Sequence, residues 1–372
     1  MLDPRNRKLA HQLVHYSTAV KPGQVVYVEM KGIESMELGR EIVREASIVG
    51  AIPFWYYNDE LLSRPFVLAA SEEQFQQWGQ FHRKIMEMSD VYIAIRGSTN
   101  PFDLSDVPAE QMKAYNMAYW NQVHALRVQE KTWCVLRYPV PSMAVAAQMP
   151  TDALTDFYFD VCTLDYARMS KAMDPLVEML AATDKVHIKG PDTDLSFSIK
   201  GLPPVKCDGH RNIPDGEVYT APVRDSVNGT ITYNAPSMYQ SKVFKGIRLS
   251  FEKGRIVQAS CDGDSEHLNR ILDTDEGARF VGEFALGVNP YITKPLLDTL
   301  FDEKIAGSFH FTPGNAYEKC DNGNRSAIHW DLVSIQTPQW GGGEIWFDDL
   351  LVRKEGLFVV QNLSGLNPSN LK

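Results

Sequence analysis

The periodicity of the chain changes near residue 184, and that change limits the folds open to it. Before it, short apolar runs recur: QVVYVEM (24–30), AIPFWYY (51–57), DVYIAIRG (90–97) and TWCVLRYP (132–139). The stretches between them have helical length and spacing, at 34–50, 71–88 and near 109–128. Gly50 stands where a helix C-terminal stop is expected. Strands joined through helices imply a parallel sheet with helices packed on its faces. A further helical stretch, DYARMSKAMDPLVEMLAAT (165–183), leads out of this half.

Beyond it the chain is rich in short strands broken by turn residues: VHIKG, DLSFSIKG, GEVYTAP, GTITYN, KGIRLSFEKGRIVQASC and GEIWFDDLLVRKEGLFVV. FEKGRIV reads as a hairpin turning at Lys253-Gly254. A short helix is expected at 265–273, and the final NLSGLNPSNLK reads as a loosely held tail. A length of 372 residues favours two domains. The expected fold class is α/β: an N-terminal parallel-sheet α/β domain, 1–184, and a C-terminal β-rich α+β metal-binding domain, 185–372.

Several function classes are excluded at this stage. A formal net charge of −10 argues against a nucleic-acid partner, which calls for a basic face. No apolar run approaches the roughly 18 residues that span a bilayer, so no membrane partner is expected. MLDPRNRKLAHQLVHYS lacks the apolar stretch of a secretory signal, and the expected location is cytoplasmic. Five scattered cysteines with no CxxC read as free thiols in a reducing compartment. MKGIESMELG carries no phosphate-binding glycine pattern after the first strand. The polar loop GSTNPFDLSD (97–106) ends a parallel strand, where open sheets often bind ligands, but reads best as a solvated connection.

The chemistry gathers in the second half. Glu217, Glu283, Glu303, His310, Tyr317, His329 and Asp331 lie in IPDGEVYTAP, GEFALGVNP, FDEKIAGSFHFTPGNAY and SAIHWD. Carboxylates and imidazoles are what divalent cations recruit. His329 and Asp331 stand two apart, so on an extended segment both face one way. Several carboxylates with only two imidazoles suit a pair of bridged ions better than one closed structural zinc. Gly282 and Gly287 flank Glu283 and are expected to let the backbone crowd a bound ion. The other seven histidines, His11, His15, His82, His124, His187, His210 and His267, lack such company and read as surface or structural residues.

These segments, in this order, resemble the M29 metallopeptidase family, of aminopeptidase T and aminopeptidase S type. The likeness covers nearly the whole chain and is densest from about 186 to 332. It implies a cytoplasmic exopeptidase that removes N-terminal residues from peptides with two divalent cations, zinc or cobalt before magnesium or manganese. It also implies homodimers. By motif, Glu217, Glu283, Glu303, His310, His329 and Asp331 match the family's metal-binding positions, Glu303 as ligand or proton shuttle. Tyr317 matches the tyrosine that assists catalysis. This chain is shorter than typical members, with a compressed His310-to-His329 interval and an unusual TPQWGGGE loop (337–344). Those departures bear on substrate preference more than on metal binding.

The expected mechanism has Glu283 bridging two ions and primed water attacking the amide, with Glu283 and Tyr317 as catalytic residues. The competing expectation is a mononuclear non-haem iron ring-cleaving dioxygenase, with His310, His329 and Asp331 as a facial triad. A third is a peptide-binding protein without catalysis. It is disfavoured because buried carboxylates are costly to desolvate without a cation.

Overall fold

The computed structural model describes residues 3–100, 102–240 and 242–372. Cα packing divides the chain into two compact units: Met1–Thr163 with Gly209–Pro214, and Leu164–Asp208 with Asp215–Lys372. The helix Tyr166–Ala182, placed by its sequence before the texture change, goes with the second unit.

The first unit is built on a five-stranded sheet in the order Ile52–Asn58, Val25–Lys31, Val91–Arg96, Thr132–Arg137, Asn212–Ile213. Every pairing in it is parallel. Val25–Lys31 and Val91–Arg96 are buried almost throughout, as central parallel strands must be when both faces are covered. Helix Met36–Val49 stops at Gly50 in the left-handed conformation, φ 85°. Helix Glu72–Met88 starts on a capping box formed by Ser71 and Gln74. The expected helix at 109–128 is three pieces, Ala109–Tyr119, a π turn at Trp120–His124, and Ala125–Glu130. Arg5–Gln12, Glu60–Ala69 and Thr151–Cys162 are further helices. In the loop 97–106, Pro101 lies outside the described residues; Arg64 ties the loop down through the Asp103 carbonyl and, at 2.6 Å, Asp106.

The second unit holds two sheets. One has nine strands and contains the predicted hairpin, Lys242–Glu252 with Arg255–Asp262. Lys253 and Gly254 turn it with φ of 48° and 82°, the pair of positive values a two-residue hairpin loop needs. The other has five antiparallel strands, in the order Val333–Ile335, Ser308–Pro313, Val281–Gly287, Glu217–Thr220, Val205–Cys207. Aromatic side chains from both sheets interleave: Phe197 lies 5.0 Å from Phe284 and 4.9 Å from Phe311, ring centre to ring centre. This apolar layer covers one face of the five-stranded sheet and leaves the other for chemistry.

The C-terminal segment is not the loose tail its composition suggested. Gln361–Leu366 and Pro368–Leu371 are short helices, and Leu363, Leu366 and Leu371 are buried. The first of them packs on helix Tyr166–Ala182. The Asn367 side chain donates to the Phe358 carbonyl and accepts from its N–H. Three leucines spaced for burial outweigh the polar residues between them. Leu363→Ala should therefore cost about 2–4 kcal/mol of unfolding free energy in urea titration; a loss within error of zero would mean the segment contributes nothing.

Candidate metal centre

Strand alternation and register put three of the seven predicted residues, Glu217, Glu283 and His310, on a single face. In Val281–Gly287 the residues Glu283, Ala285 and Gly287 share one side, and Gly282, Phe284 and Leu286 the other. Glu217 pairs with Gly287, Tyr219 with Ala285, His310 with Ala285 from the opposite strand, and Thr312 with Glu283. The middle of the face carries only alanine and glycine, which leaves room for the long acidic and imidazole side chains around it. A bulge between Val281 and Glu283 re-aims the strand where the glutamate begins.

His329 and Asp331 arrive on an extended segment outside the sheet, bridged to Gly314. They face the site together, as their spacing requires. Trp330 between them turns away, stacking on Tyr239 and donating from its indole N–H to Ser237 at 2.9 Å.

The resulting distances are short. Glu283 Oε1 lies 3.2 Å from His310 Nε2, and Glu283 Oε2 lies 3.2 Å from His329 Nε2. His329 Nε2 is also 3.2 Å from Asp331 Oδ1, and His310 Nε2 is 3.6 Å from Glu217 Oε2. Two groups of three have ligand atoms within 4.8 Å of one another: Glu217, Glu283, His310, and Glu283, His329, Asp331. Glu283 belongs to both. Among the described residues no such group joins His310 with His329 and Asp331, the set a single iron would need.

The donor set fits divalent cations. Donors on one tetrahedral ion with bonds of 2.0–2.1 Å stand roughly 3.3 Å apart, close to the spacings here. His329 Nε2 forms no hydrogen bond despite its two carboxylate neighbours, and the buried Glu217 Oε2 also lacks a partner. The His329 Nδ1 faces the Asn315 carbonyl at 2.8 Å, which orients the ring and leaves Nε2 for the site. The Thr312 hydroxyl donates to Asp331 Oδ1 at 2.8 Å.

The site also contains a residue that the motif reading passed over. Lys304 is 1% exposed, and its Nζ lies 2.6 Å from Glu217 Oε1, 2.6 Å from Glu303 Oε1 and 3.7 Å from Asp215 Oδ1. Glu303 thus stands outside both three-residue groups and joins the cluster through Lys304. A lysine inside the otherwise apolar KIAGSFHF, next to an acidic candidate, was the available signal. Gly287 makes the approach possible: a Cβ there would meet the Ile305 carbonyl oxygen at 2.4 Å and Lys304 backbone at 2.9 Å. Gly282 does the same for Asn315, whose carbonyl oxygen would lie 2.3 Å from a Cβ. Both glycines are therefore crowded by protein backbone, where the sequence suggested crowding around an ion.

Charge balance explains the protonation states. Asp215, Glu217, Glu283, Glu303 and Asp331 face at most three positive charges, on Lys304, His310 and His329. Burial opposes a charge on His310, but Glu217 and Glu283 outweigh it and raise its pKa to about 9. Burial likewise opposes charge on His329, and Asp331 and Glu283 raise it well above the ordinary value. Burial raises Glu303 well above the carboxylate range, with Lys304 opposing and Glu217 and Asp331 adding to it. Tyr317, 46% exposed, has its ring 4.5 Å from that of His329. Partial desolvation, then Glu283 and Asp331, push its phenol well up, so it stays a hydrogen-bond donor. Cys207 pairs with Glu217 in register; burial, then Asp215 and Glu217, hold its thiol well above the ordinary range.

One group in the first unit was missed. His11 Nδ1 and His15 Nε2 lie 2.8 and 3.0 Å from Glu45 Oε1, so these two histidines do have carboxylate company. Glu45 is thirty residues away on another helix, and sequence spacing gives no hint of it.

Comparison with known proteins gives a consistent picture. Residues 2–340 match the family described as thermophilic metalloprotease (M29). Aminopeptidase 2 of Geobacillus stearothermophilus is 28% identical over 353 residues, 83% of this chain and 83% of that protein. The structure of wild-type AmpT from Thermus thermophilus aligns with a TM-score of 0.80 at 25% identity, covering 96% of this chain and 99% of that one. The structure of 2,5-dihydroxypyridine dioxygenase from Pseudomonas putida KT2440 aligns with a TM-score of 0.61 at 15% identity, over 96% and 98% of the two chains. That last likeness is one of fold alone.

The His310 environment makes a pH prediction for protein stripped of cations. A folded-state pKa raised from 6.5 to about 9 means its stabilising share is fully present below 6.5 and lost as pH rises through 9. The His310 imidazole resonance in NMR should titrate near pH 9; titration at or below 6.5 would contradict the carboxylate cage.

Proposed function

The chain belongs to the M29 metalloprotease family, enzymes that hydrolyse peptide bonds, and from that premise we propose an aminopeptidase whose two divalent cations share Glu283. The observation that carries this reading is that the two oxygens of one buried carboxylate each face a different imidazole at 3.2 Å. A carboxylate so placed can serve two ions at once. Glu217 and His310 would complete one coordination group, His329 and Asp331 the other. When bound, the cations would bring the pKa of a shared water towards neutrality and polarise the scissile carbonyl.

The chain's own residues supply the rest. Glu303, tied to Lys304, would take the proton of the attacking water once bound cations have offset the negative neighbours that keep it protonated in their absence. It returns that proton to the amide nitrogen as the C–N bond breaks, so that the amine leaves neutral. Tyr317 donates its phenolic hydrogen to the carbonyl oxygen as negative charge develops there. A carboxylate of the cluster, or one of the cations, would hold the α-amino terminus that every unblocked peptide carries. This accounts for removal of terminal residues in preference to internal cleavage.

Zinc or cobalt suits the mixed carboxylate–imidazole set, with magnesium or manganese as weaker candidates. A cytoplasmic setting is proposed from the five scattered cysteines, none of them in a disulfide. Homodimerisation rests on the family alone. The dioxygenase reading gains no support from the geometry, since its three ligands do not form one group.

The test uses chelator-treated protein re-supplied with single cations and offered matched peptides with free and N-acetylated termini. Cleavage should return with zinc or cobalt and be confined to free termini. Glu283→Gln should lower kcat by on the order of 10²–10³-fold, a loss of the size seen when a transition-state charge contact is removed, and should reduce the ions held per chain. Cleavage of acetylated peptides at similar rates would overturn the exopeptidase reading; full activity of Glu283→Gln would overturn the shared carboxylate.

A further inference from the structure

The two cation groups are not built alike, and the difference is visible in what surrounds each donor. Around His329 and Asp331 every ligand has a partner behind it. The Asn315 carbonyl orients the imidazole from Nδ1, and the Thr312 hydroxyl holds the carboxylate. Such supporting contacts fix tautomer and direction before an ion arrives. Around His310 and Glu217 the support is missing or reversed. His310 Nδ1 is buried without a hydrogen-bond partner. Glu217 offers the site only Oε2, because Oε1 is held at 2.6 Å by the ammonium of Lys304. That ammonium also holds Glu303, a further carboxylate that could have filled out this group.

A positive charge on the far oxygen of a ligand acts against a cation on the near one. It withdraws electron density from the carboxylate and repels the incoming ion across a few ångströms of protein, where screening by water is weak. No lysine or arginine is paired with Glu283 or Asp331 among the described residues.

We propose that Lys304 grades the two cation sites: the Glu283–His329–Asp331 site holds its ion tightly, whereas the Glu217–Glu283–His310 site holds its ion weakly and exchangeably. Lys304 is a positioning residue in this scheme. It keeps Glu303 off the ion and so free to carry a proton, and it sets how readily the second ion leaves. This inference rests on the two-cation reading above and goes beyond it in ranking the sites.

The experiment is a stoichiometric titration of cation-free, full-length protein with Co²⁺, by equilibrium dialysis and calorimetry, with no activity assay involved. Wild type should bind two ions in two classes whose dissociation constants differ by at least about tenfold, the scale on which second-layer contacts act. His329→Ala should abolish the tight class. His310→Ala should abolish the weak class and leave the tight one intact. Lys304→Gln, which keeps a hydrogen-bond donor but removes the charge, should narrow the gap by tightening the weak class alone, and its unchanged tight class reports that the variant is folded. If Lys304→Gln does not fold, the ranking is decided by wild type, His310→Ala and His329→Ala. Two ions of equal affinity, loss of the tight class in His310→Ala, or an unchanged gap in folded Lys304→Gln would each overturn the grading. A single ion per chain at saturating Co²⁺ would instead overturn the two-cation reading, and the grading with it.

Discussion

Five carboxylates packed around one lysine and two imidazoles are an unstable arrangement in isolation, because desolvated negative charge needs compensation nearby. Glu283 is the centre of this constraint. It is nearly fully buried, it sits in the middle strand of its sheet, and each of its oxygens meets a different histidine. Burial alone would favour its neutral form, and only the two imidazoles hold it charged. The imidazoles in turn hold their protons against burial only because the carboxylates are there. A divalent cation relieves both tensions at once by taking the place of protons shared between acid and base. The metal use of the M29 family fits this charge distribution, and the apolar layer of Phe197, Phe284 and Phe311 packs against the opposite face of the sheet.

The backbone achieves this closeness with small residues. Ala285 and Gly287 clear the middle of the face, and Gly287 and Gly282 admit neighbouring chain at distances no side chain would tolerate. The first admits the Lys304–Ile305 segment and with it the buried ammonium. The second admits Asn315, whose carbonyl orients His329. The same two glycines therefore serve both candidate ligand groups, one through a counter-charge and one through a supporting hydrogen bond.

Much of this was legible in advance. The two-residue step from His329 to Asp331 forecast a common direction, and Trp330 between them points away. The alternation of strands and helices up to residue 139 forecast the parallel sheet, and Gly50 and Lys253-Gly254 marked a real end and a real turn. Other features left no such trace. Lys304 looks like any surface lysine until the fold closes over it. Glu45 meets His11 and His15 only because two helices lie side by side. The last twelve residues look polar and loose, yet three leucines in them find apolar surface elsewhere in the unit. Local pattern reports which way a side chain points, and burial depends on what arrives from far along the chain.

The amino-acid order by itself determined the strand and helix content, the residue types available for chemistry, and the sidedness of each strand, because these follow from backbone periodicity and side-chain polarity over a few residues. Only the tertiary structure decided that Glu283 would stand between two histidines, that Glu303 would be drawn to a buried lysine outside both candidate ligand groups, and that the donors of one group would have hydrogen-bonded support while Glu217 in the other meets an ammonium. Those outcomes are set by strand register and by contacts between residues tens of positions apart, whose distances no local propensity encodes.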